Sequence, residues 1–594
     1  MTSGGVPADG VTRRAVLRGA AAAGAVALVD PGALIDPGRA VASGPARGEG
    51  GGGAHPGGAG SSRVFSSWVG GLAAGRESAP IVAPRVFSLA GVEWSGGGSR
   101  SEAARIELRS RSAGGDWSRW VLASVLGHGP DRPADGDERF GEPVWTGPAD
   151  QVQLRSAGSL AGVRVHFVAV PAVAGGAAAT AEAAQAMPLA QPILEAGPGQ
   201  PPIIARLAWA RGQAHPVHLP EFGTIELGFI HHSDGTNGYS AGQVPGILLG
   251  IFDYHVYVRG FWDIAYNFAI DAFGRIWEAR AGGIDQPVIG AHAGGYNNES
   301  TGMVVLGDFM DVVPAAAAIA ASERLLAWKL SLHGVPTLGR VTVEVDPSGA
   351  IYTPFAPGAH VSLPRVAGHR DGCTTSCPGN AFYAQIPSMR PRIAGLAGTP
   401  ARLTVSALAA PAGAGTSAVV GGRLVGVADD GAPGGGGAGG GIAGAPIELQ
   451  SVGEHGVATT IASATTDSAG GWSVTLTAGQ NVMLRALHSP FPAAVSDVVA
   501  LSVEPVVTLN LVSAAPVSVS GTISPTGPRV TVDLYRVSGG RRHLVASKHV
   551  AVVGGAFATG FGSRKPGQYV AVARTAATAR FVGGASPAVA VTVA

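Results

Sequence analysis

The sequence predicts a multidomain chain, in which a central α/β domain follows an N-terminal all-β domain and precedes two C-terminal β-sandwich modules. Three observations predict it. The 594 residues exceed what one hydrophobic core usually serves. Apolar residues alternate in the first third, take up helical spacing in the middle, and alternate again after Gly398. Stretches rich in Gly, Ala and Pro fall between the patterned regions.

The chain opens with Thr12-Arg13-Arg14-Ala15-Val16-Leu17-Arg18 and an apolar run from Gly19 to Val29, then Ala40-Val41-Ala42. A basic start, a short apolar run and a small-residue cleavage triplet predict a twin-arginine export signal over 1–42. The mature protein is then extracellular or associated with the cell wall. The apolar run is about half of the roughly 20 residues a bilayer requires, and no later segment is long enough either, so no transmembrane anchor is expected. Residues 43–63 are Gly-rich and read as a flexible linker.

Residues 64–170 carry short alternating runs, such as Ala104-Arg105-Ile106-Glu107-Leu108-Arg109, between Gly, Ser and Asp clusters, and predict the all-β domain. Its Trp94, Trp117, Trp120 and Trp145 read as packing residues rather than a sugar platform. The span 171–202 is an Ala- and Pro-rich linker, with a helical turn expected over 179–187.

The α/β domain is assigned to 203–395. A strand is expected over 224–230 and a helix over 243–258, with Pro245 in its first turn. A hairpin turns on Asp271-Ala272-Phe273-Gly274, a further strand runs over 302–306, and a helix over 315–333 stops at Gly334 and Pro336. Residues 400–513 and 514–594 alternate Thr, Val and Ser and predict the two β modules, with the glycine run 431–444 as a loop of the first. In style these modules resemble the Ig-like spacers of secreted bacterial wall proteins.

Lys and Arg number 41 against 40 Asp and Glu, with no long block of one sign, so a nucleic-acid partner is not expected. Only Cys373 and Cys377 are present, so no disulfide framework holds the domains. His231 and His232 follow a strand, and His369 lies shortly before the two thiols. Two neutral imidazoles and a thiolate suit Zn²⁺, with a fourth position open for water. The same two cysteines could close a short disulfide, and the residues alone leave both readings open.

Five motifs carry a resemblance. They are Phe229-Ile230-His231-His232-Ser233, Asp263-Ile264-Ala265-Tyr266-Asn267-Phe268, Gly274-Arg275-Ile276-Trp277-Glu278-Ala279-Arg280, Ala291-His292-Ala293-Gly294-Gly295-Tyr296-Asn297, and Gly368-His369-Arg370-Asp371 with Ser376-Cys377-Pro378-Gly379. From about Ile203 to Arg392 the chain resembles the peptidoglycan recognition protein and type-2 N-acetylmuramoyl-L-alanine amidase family. The resemblance implies a mixed sheet flanked by helices, with zinc at the floor of a peptide groove. It implies His231, His369 and Cys377 as metal ligands, Cys373 as a spare thiol, and Tyr266 and Thr375 as catalytic hydroxyls. It places His255, His292 and Asn297 in the groove. Peptidoglycan is the implied partner, and cleavage of its lactyl-L-alanine amide the implied reaction, by a chain expected to be monomeric. Gly260-Phe261-Trp262-Asp263 departs from the family's Gly-Trp-x-Asp, and residues 341–366 exceed the compact family core, as a lid or groove wall would.

Overall fold

The computed structural model describes residues 63–95, 105–123, 139–170, 199–406, 408–427, 438–453, 456–490, 493–527 and 529–594. The expected export signal, the glycine linker before Arg63 and nearly all of the Ala/Pro linker, with its helical turn, lie outside the described residues.

The central domain is built on a six-stranded sheet. Its elements in chain order are β1 (Ile203–Ile204), β2 (Leu227–His232), α1 (Val244–Tyr257), β3 (Phe268–Ile270), β4 (Ile276–Glu278), β5 (Ser300–Val305), α2 (Ala316–Leu332), β6 (Arg340–Glu344), β7 (His360–Pro364), β8 (Val366–Gly368) and α3 (Ile386–Ala397). The strand order is β8-β2-β5-β3-β4-β1, parallel throughout except for the β3–β4 hairpin. That hairpin forms where expected, because the Asp271 carboxylate accepts the backbone N–H groups of Phe273 and Arg275 across the turn.

Helices cover both faces, which is why β2 and β5 are buried along their whole length. On one face Ile230, Phe268, Ile270, Met303 and Val305 pack against α2 and α3. On the other, Ile204, Ala269, Trp277 and Val304 pack against α1. His231 and His232 are the last residues of β2 rather than residues beyond it, so strand pairing fixes their backbones.

Strands β6 and β7 form a separate two-stranded hairpin, which accounts for the long segment 341–366. It braces the loop that carries His292 and Asn297. Asp346 N donates to Gly295 O at 2.8 Å, and the Tyr296 and Thr353 hydroxyls lie 2.9 Å apart. A Cβ on Gly349 would stand 2.1 Å from Gly295 N, so only glycine lets the two backbones approach.

The N-terminal domain is a seven-stranded antiparallel sheet with its own core. Trp94 and Trp145 are buried, while Trp117 and Trp120 lie under the guanidinium groups of Arg109, Arg111 and Arg155. Among the described residues C-terminal to α3 the chain is all strand apart from its connections, with one apolar core over 401–503 and another over 507–593. The second core's sheet begins ahead of Ser513, because Val506–Val507 pairs with Ile523 and Ser524.

The domain cores are continuous with their neighbours. Leu89, Trp145 and Val168 of the N-terminal sheet share the core of α1, and Leu487, Ala493 and Val495 of the first C-terminal module share the core of α2.

Candidate metal centre

β2 and β8 are adjacent parallel strands with Gly368 opposite Ile230, so the residues that follow, His369 and His231, emerge side by side. Their rings lie 4.4 Å apart between centroids. Carboxyl ends of parallel strands are the usual place for a site in an open α/β sheet, since helices and loops diverge there. Residues His369–Asp371 then form a 3₁₀ turn, and Arg370 N donates to Cys377 O at 3.1 Å, which folds the Cys377 loop back over the strand ends.

The result is a gathered donor set. One ligand atom each from His231, His369 and Cys377 lies within 4.8 Å of the others, and all three residues are buried. His231 Nδ1 stands 3.8 Å from Cys377 Sγ. Tetrahedral Zn²⁺ with ordinary bond lengths would place nitrogen and sulfur about 3.5 Å apart, so the residues fit that ion with little movement. Burial pushes the Cys377 thiol well above its ordinary pKa, and the nearby Asp234 adds to this. A bound dication would reverse that balance, because it favours the thiolate. His232 N donates to Cys377 Sγ at 3.4 Å and is placed to stabilise an anionic sulfur. Both cysteines are free, and Cys373 Sγ lies 3.6 Å from Gly294 O in the core beneath the β6–β7 hairpin.

A second cluster, His232, Asp234 and Asp308, also lies within 4.8 Å. Here one imidazole nitrogen is already taken by the backbone. His232 Nδ1 accepts from Phe309 N at 3.3 Å, which leaves its proton on Nε2, facing Asp234 Oδ1 at 2.8 Å. That contact is close in distance but does not have the geometry of a hydrogen bond.

The other residues singled out in the sequence surround the centre. Tyr266 is buried, its ring 5.4 Å from that of His231. Its pKa is raised well above the usual phenol value by burial first and by the charge of Glu142 next, so it is a neutral donor. The Thr375 hydroxyl accepts from Cys377 N at 3.2 Å, which leaves its own proton to donate. His292 Nδ1 lies 3.2 Å from His231 Nε2. Asn297 Oδ1 accepts from His292 N and Ala293 N, both at 2.9 Å, and so shapes the loop. His255 on α1 is fully buried, accepts from Ala265 N at 3.1 Å and stacks on Phe261. Asp263 takes Arg206 at 2.8 Å and the backbone N–H groups of Ile264 and Ala281, holding the segment that leads into Tyr266.

Glu142 and Arg259 were not singled out, yet both are buried at the site's edge. No motif could have found Glu142, because it belongs to the N-terminal domain, 124 positions from Tyr266.

An α/β domain with a buried His–His–Cys donor set at its strand ends defines a candidate metal-dependent hydrolase or a ligand-binding relative of one. Residues 221–380 match the family model described as N-acetylmuramoyl-L-alanine amidase, and residues 64–188 match the one described as Rv3811 N-terminal galactose-binding domain-like. Peptidoglycan-recognition protein LB of Drosophila melanogaster is 29% identical over 188 residues, 31% of this chain and 68% of that protein. Peptidoglycan recognition protein 3 of Homo sapiens is 30% identical over 133 residues, 22% of this chain and 37% of the human protein. Among solved structures, that of Drosophila PGRP-LB is 28% identical, covering 31% of this chain and 91% of its own, at a TM-score of 0.25. The central domain of this chain belongs to the peptidoglycan recognition protein and type-2 amidase family.

Proposed function

We propose that this chain is a zinc-dependent N-acetylmuramoyl-L-alanine amidase, hydrolysing the amide between the lactyl group of N-acetylmuramic acid and L-alanine in peptidoglycan. The observation that carries the reading is the convergence of His231, His369 and Cys377 within 4.8 Å, inside a segment matching the amidase family model. His231, His369 and Cys377 would hold the ion, and when bound it supplies Lewis acidity and an activated water at neutral pH.

The chain's own residues do the rest. Tyr266 donates its phenolic proton to the carbonyl oxygen as negative charge develops there, and Thr375 offers a second hydroxyl. His292 steadies His231 from behind, and Asn297 holds the loop that carries His292. His255 backs the Tyr266 ring, at 5.9 Å between centroids. The segment 12–29 is read as directing export through the twin-arginine route, which brings a folded enzyme to the wall, and the C-terminal modules as Ig-like spacers.

A second reading, peptidoglycan binding without cleavage, is favoured by the names of the relatives, which specify recognition. Incubating the full chain with purified sacculi, with and without chelator, decides between them. Zinc-dependent appearance of L-alanine amino termini supports the amidase. Sedimentation with sacculi and no release under any metal condition supports the binder and sinks the amidase.

A further inference from the structure

The N-terminal domain reaches the candidate site through Glu142. Glu142 follows Gly141 at the edge of the N-terminal sheet and is only 2% exposed. Its Oε2 accepts from the Tyr266 hydroxyl at 3.3 Å and lies 3.5 Å from His255 Nε2, while its Oε1 is salt-bridged to Arg259, which is itself buried. A carboxylate in such a place is costly unless it is paired and hydrogen-bonded, and here Tyr266, His255 and Arg259 all come from the other domain.

The surrounding contact is built rather than incidental. Tyr254 donates to Gly141 O at 3.1 Å, one residue from Glu142. The Tyr254 ring lies over Gly91, where a Cβ would stand 2.3 Å from it, so glycine at that position is what lets helix α1 seat against the sheet. Leu89, Trp145 and Val168 close the same interface with apolar contact. Thr236 N donates to Trp145 O at 3.3 Å, and Arg119 meets Asp308 at 3.5 Å. An interface with a continuous apolar core holds a side chain in one position, unlike the polar contact of a domain that swings freely.

We infer that Glu142 is a positioning residue of the amidase site, supplied by the N-terminal domain, which acts through the hydroxyl of Tyr266. The inference rests on the amidase reading above. A phenol has one proton and rotates about one bond; a fixed acceptor sets the direction of that rotation and keeps the ring in place. Arg259 neutralises the carboxylate, so Glu142 holds the proton only weakly. As an oxyanion develops on the substrate, the hydroxyl turns from Glu142 to it, and Arg259 and His255 remain as partners for the carboxylate. No bond is made or broken at Glu142. Its contribution is orientation, for which a displacement of about 1 Å can cost on the order of 10²-fold in rate.

The test compares wild type, Glu142→Gln, Glu142→Ala and the interface control Arg119→Ala in the full chain. Zinc content, thermal unfolding and steady-state release of L-alanine amino termini from soluble muropeptide are measured for each. Glu142→Gln is expected to keep zinc and lose roughly 10-fold or more in kcat with little change in KM. Arg119→Ala, which breaks an interdomain contact outside the site, is expected to stay within about 2-fold of wild type. A double-mutant cycle of Glu142→Gln with Tyr266→Phe on thermal unfolding reports the contact independently of activity, and non-additive shifts are expected. An active wild type with an equally active Glu142→Gln overturns the inference, as does additivity in the cycle. A gain of activity in Glu142→Ala overturns it in favour of a plug. A wild type that binds zinc but releases no amine fails the amidase reading itself, and is recognised because it is silent before any substitution is made.

Discussion

His292 Nδ1 lies 3.2 Å from His231 Nε2, on the side of the His231 ring away from Cys377. With His231 Nδ1 as the proposed metal ligand, its Nε2 would carry the proton and donate to His292, an arrangement that would fix both tautomer and ring orientation. His292→Ala is therefore expected to lower zinc affinity by roughly 10–100-fold. Zinc competition with a chromogenic chelator measures it. A variant with unchanged affinity and a raised KM would instead place His292 in the groove.

The two cysteines separate by environment. Cys377 faces His231, whereas Cys373 sits in the core beneath the hairpin with Gly294 O as its partner. Cys377→Ser exchanges a ligand that ionises on metal for a hydroxyl that does not, and is expected to lose stoichiometric zinc and all amidase activity. Cys373→Ser keeps zinc, since the new hydroxyl finds an acceptor in Gly294 O. Elemental analysis of both variants settles it, and equal zinc loss in the two would remove Cys377 as the sole thiolate ligand.

Tyr266→Phe removes a neutral donor without removing its ring. Zinc content should be unchanged and kcat should fall by roughly 10² or more, the usual effect of deleting one oxyanion donor. A turnover equal to wild type would reduce Tyr266 to a packing aromatic.

Much of this arrangement was legible in the sequence because it is local. The β3–β4 hairpin declares itself by Asp271 and Gly274, and α1 and α2 lie within a residue of their expected ends. The pairing of His231 with His369 was open to inference only through motif order, because what joins them is the register of two strands far apart in the chain. Glu142 and Arg259 were beyond reach for a stronger reason. Their significance lies in a contact between domains, and hydrophobic periodicity reports that a face is buried without saying against what. The same limit applies to domain boundaries, where composition marks linkers but does not reveal that Leu89 and Leu487 enter the cores of α1 and α2.

That sharing has a consequence for dissection. All the candidate ligands lie within 203–395, which favours a minimal domain, but cutting there exposes the apolar faces that meet Leu89, Trp145, Leu487 and Val495. A fragment spanning 199–398 should bind zinc yet unfold at a lower temperature than the central domain does in the full chain. Losing a few buried aliphatic contacts costs about 1.5–3 kcal/mol for each side chain that becomes fully exposed. Calorimetry of fragment and full chain is the check, and an unchanged transition would show that the interfaces contribute nothing.

Asp253 on α1 gives a prediction with a definite sign in pH. Burial raises its carboxyl from the ordinary value to about 8. In the unfolded chain the same group ionises near pH 4. Between these values the folded state holds a proton that the unfolded state has released, so the contribution of Asp253 to stability falls as pH rises through the window, and is lowest above pH 8. Asp253→Asn keeps the shape and cannot ionise. It should match the parent near pH 4 and exceed it by on the order of 1–3 kcal/mol at pH 8, the cost typical of a poorly compensated buried polar group. Urea unfolding of the two proteins at both pH values measures the difference. A gap that is constant with pH would mean that Asp253 titrates alike in both states; a gap that widens toward acid would mean that its folded-state pKa is depressed, and the burial argument would fail.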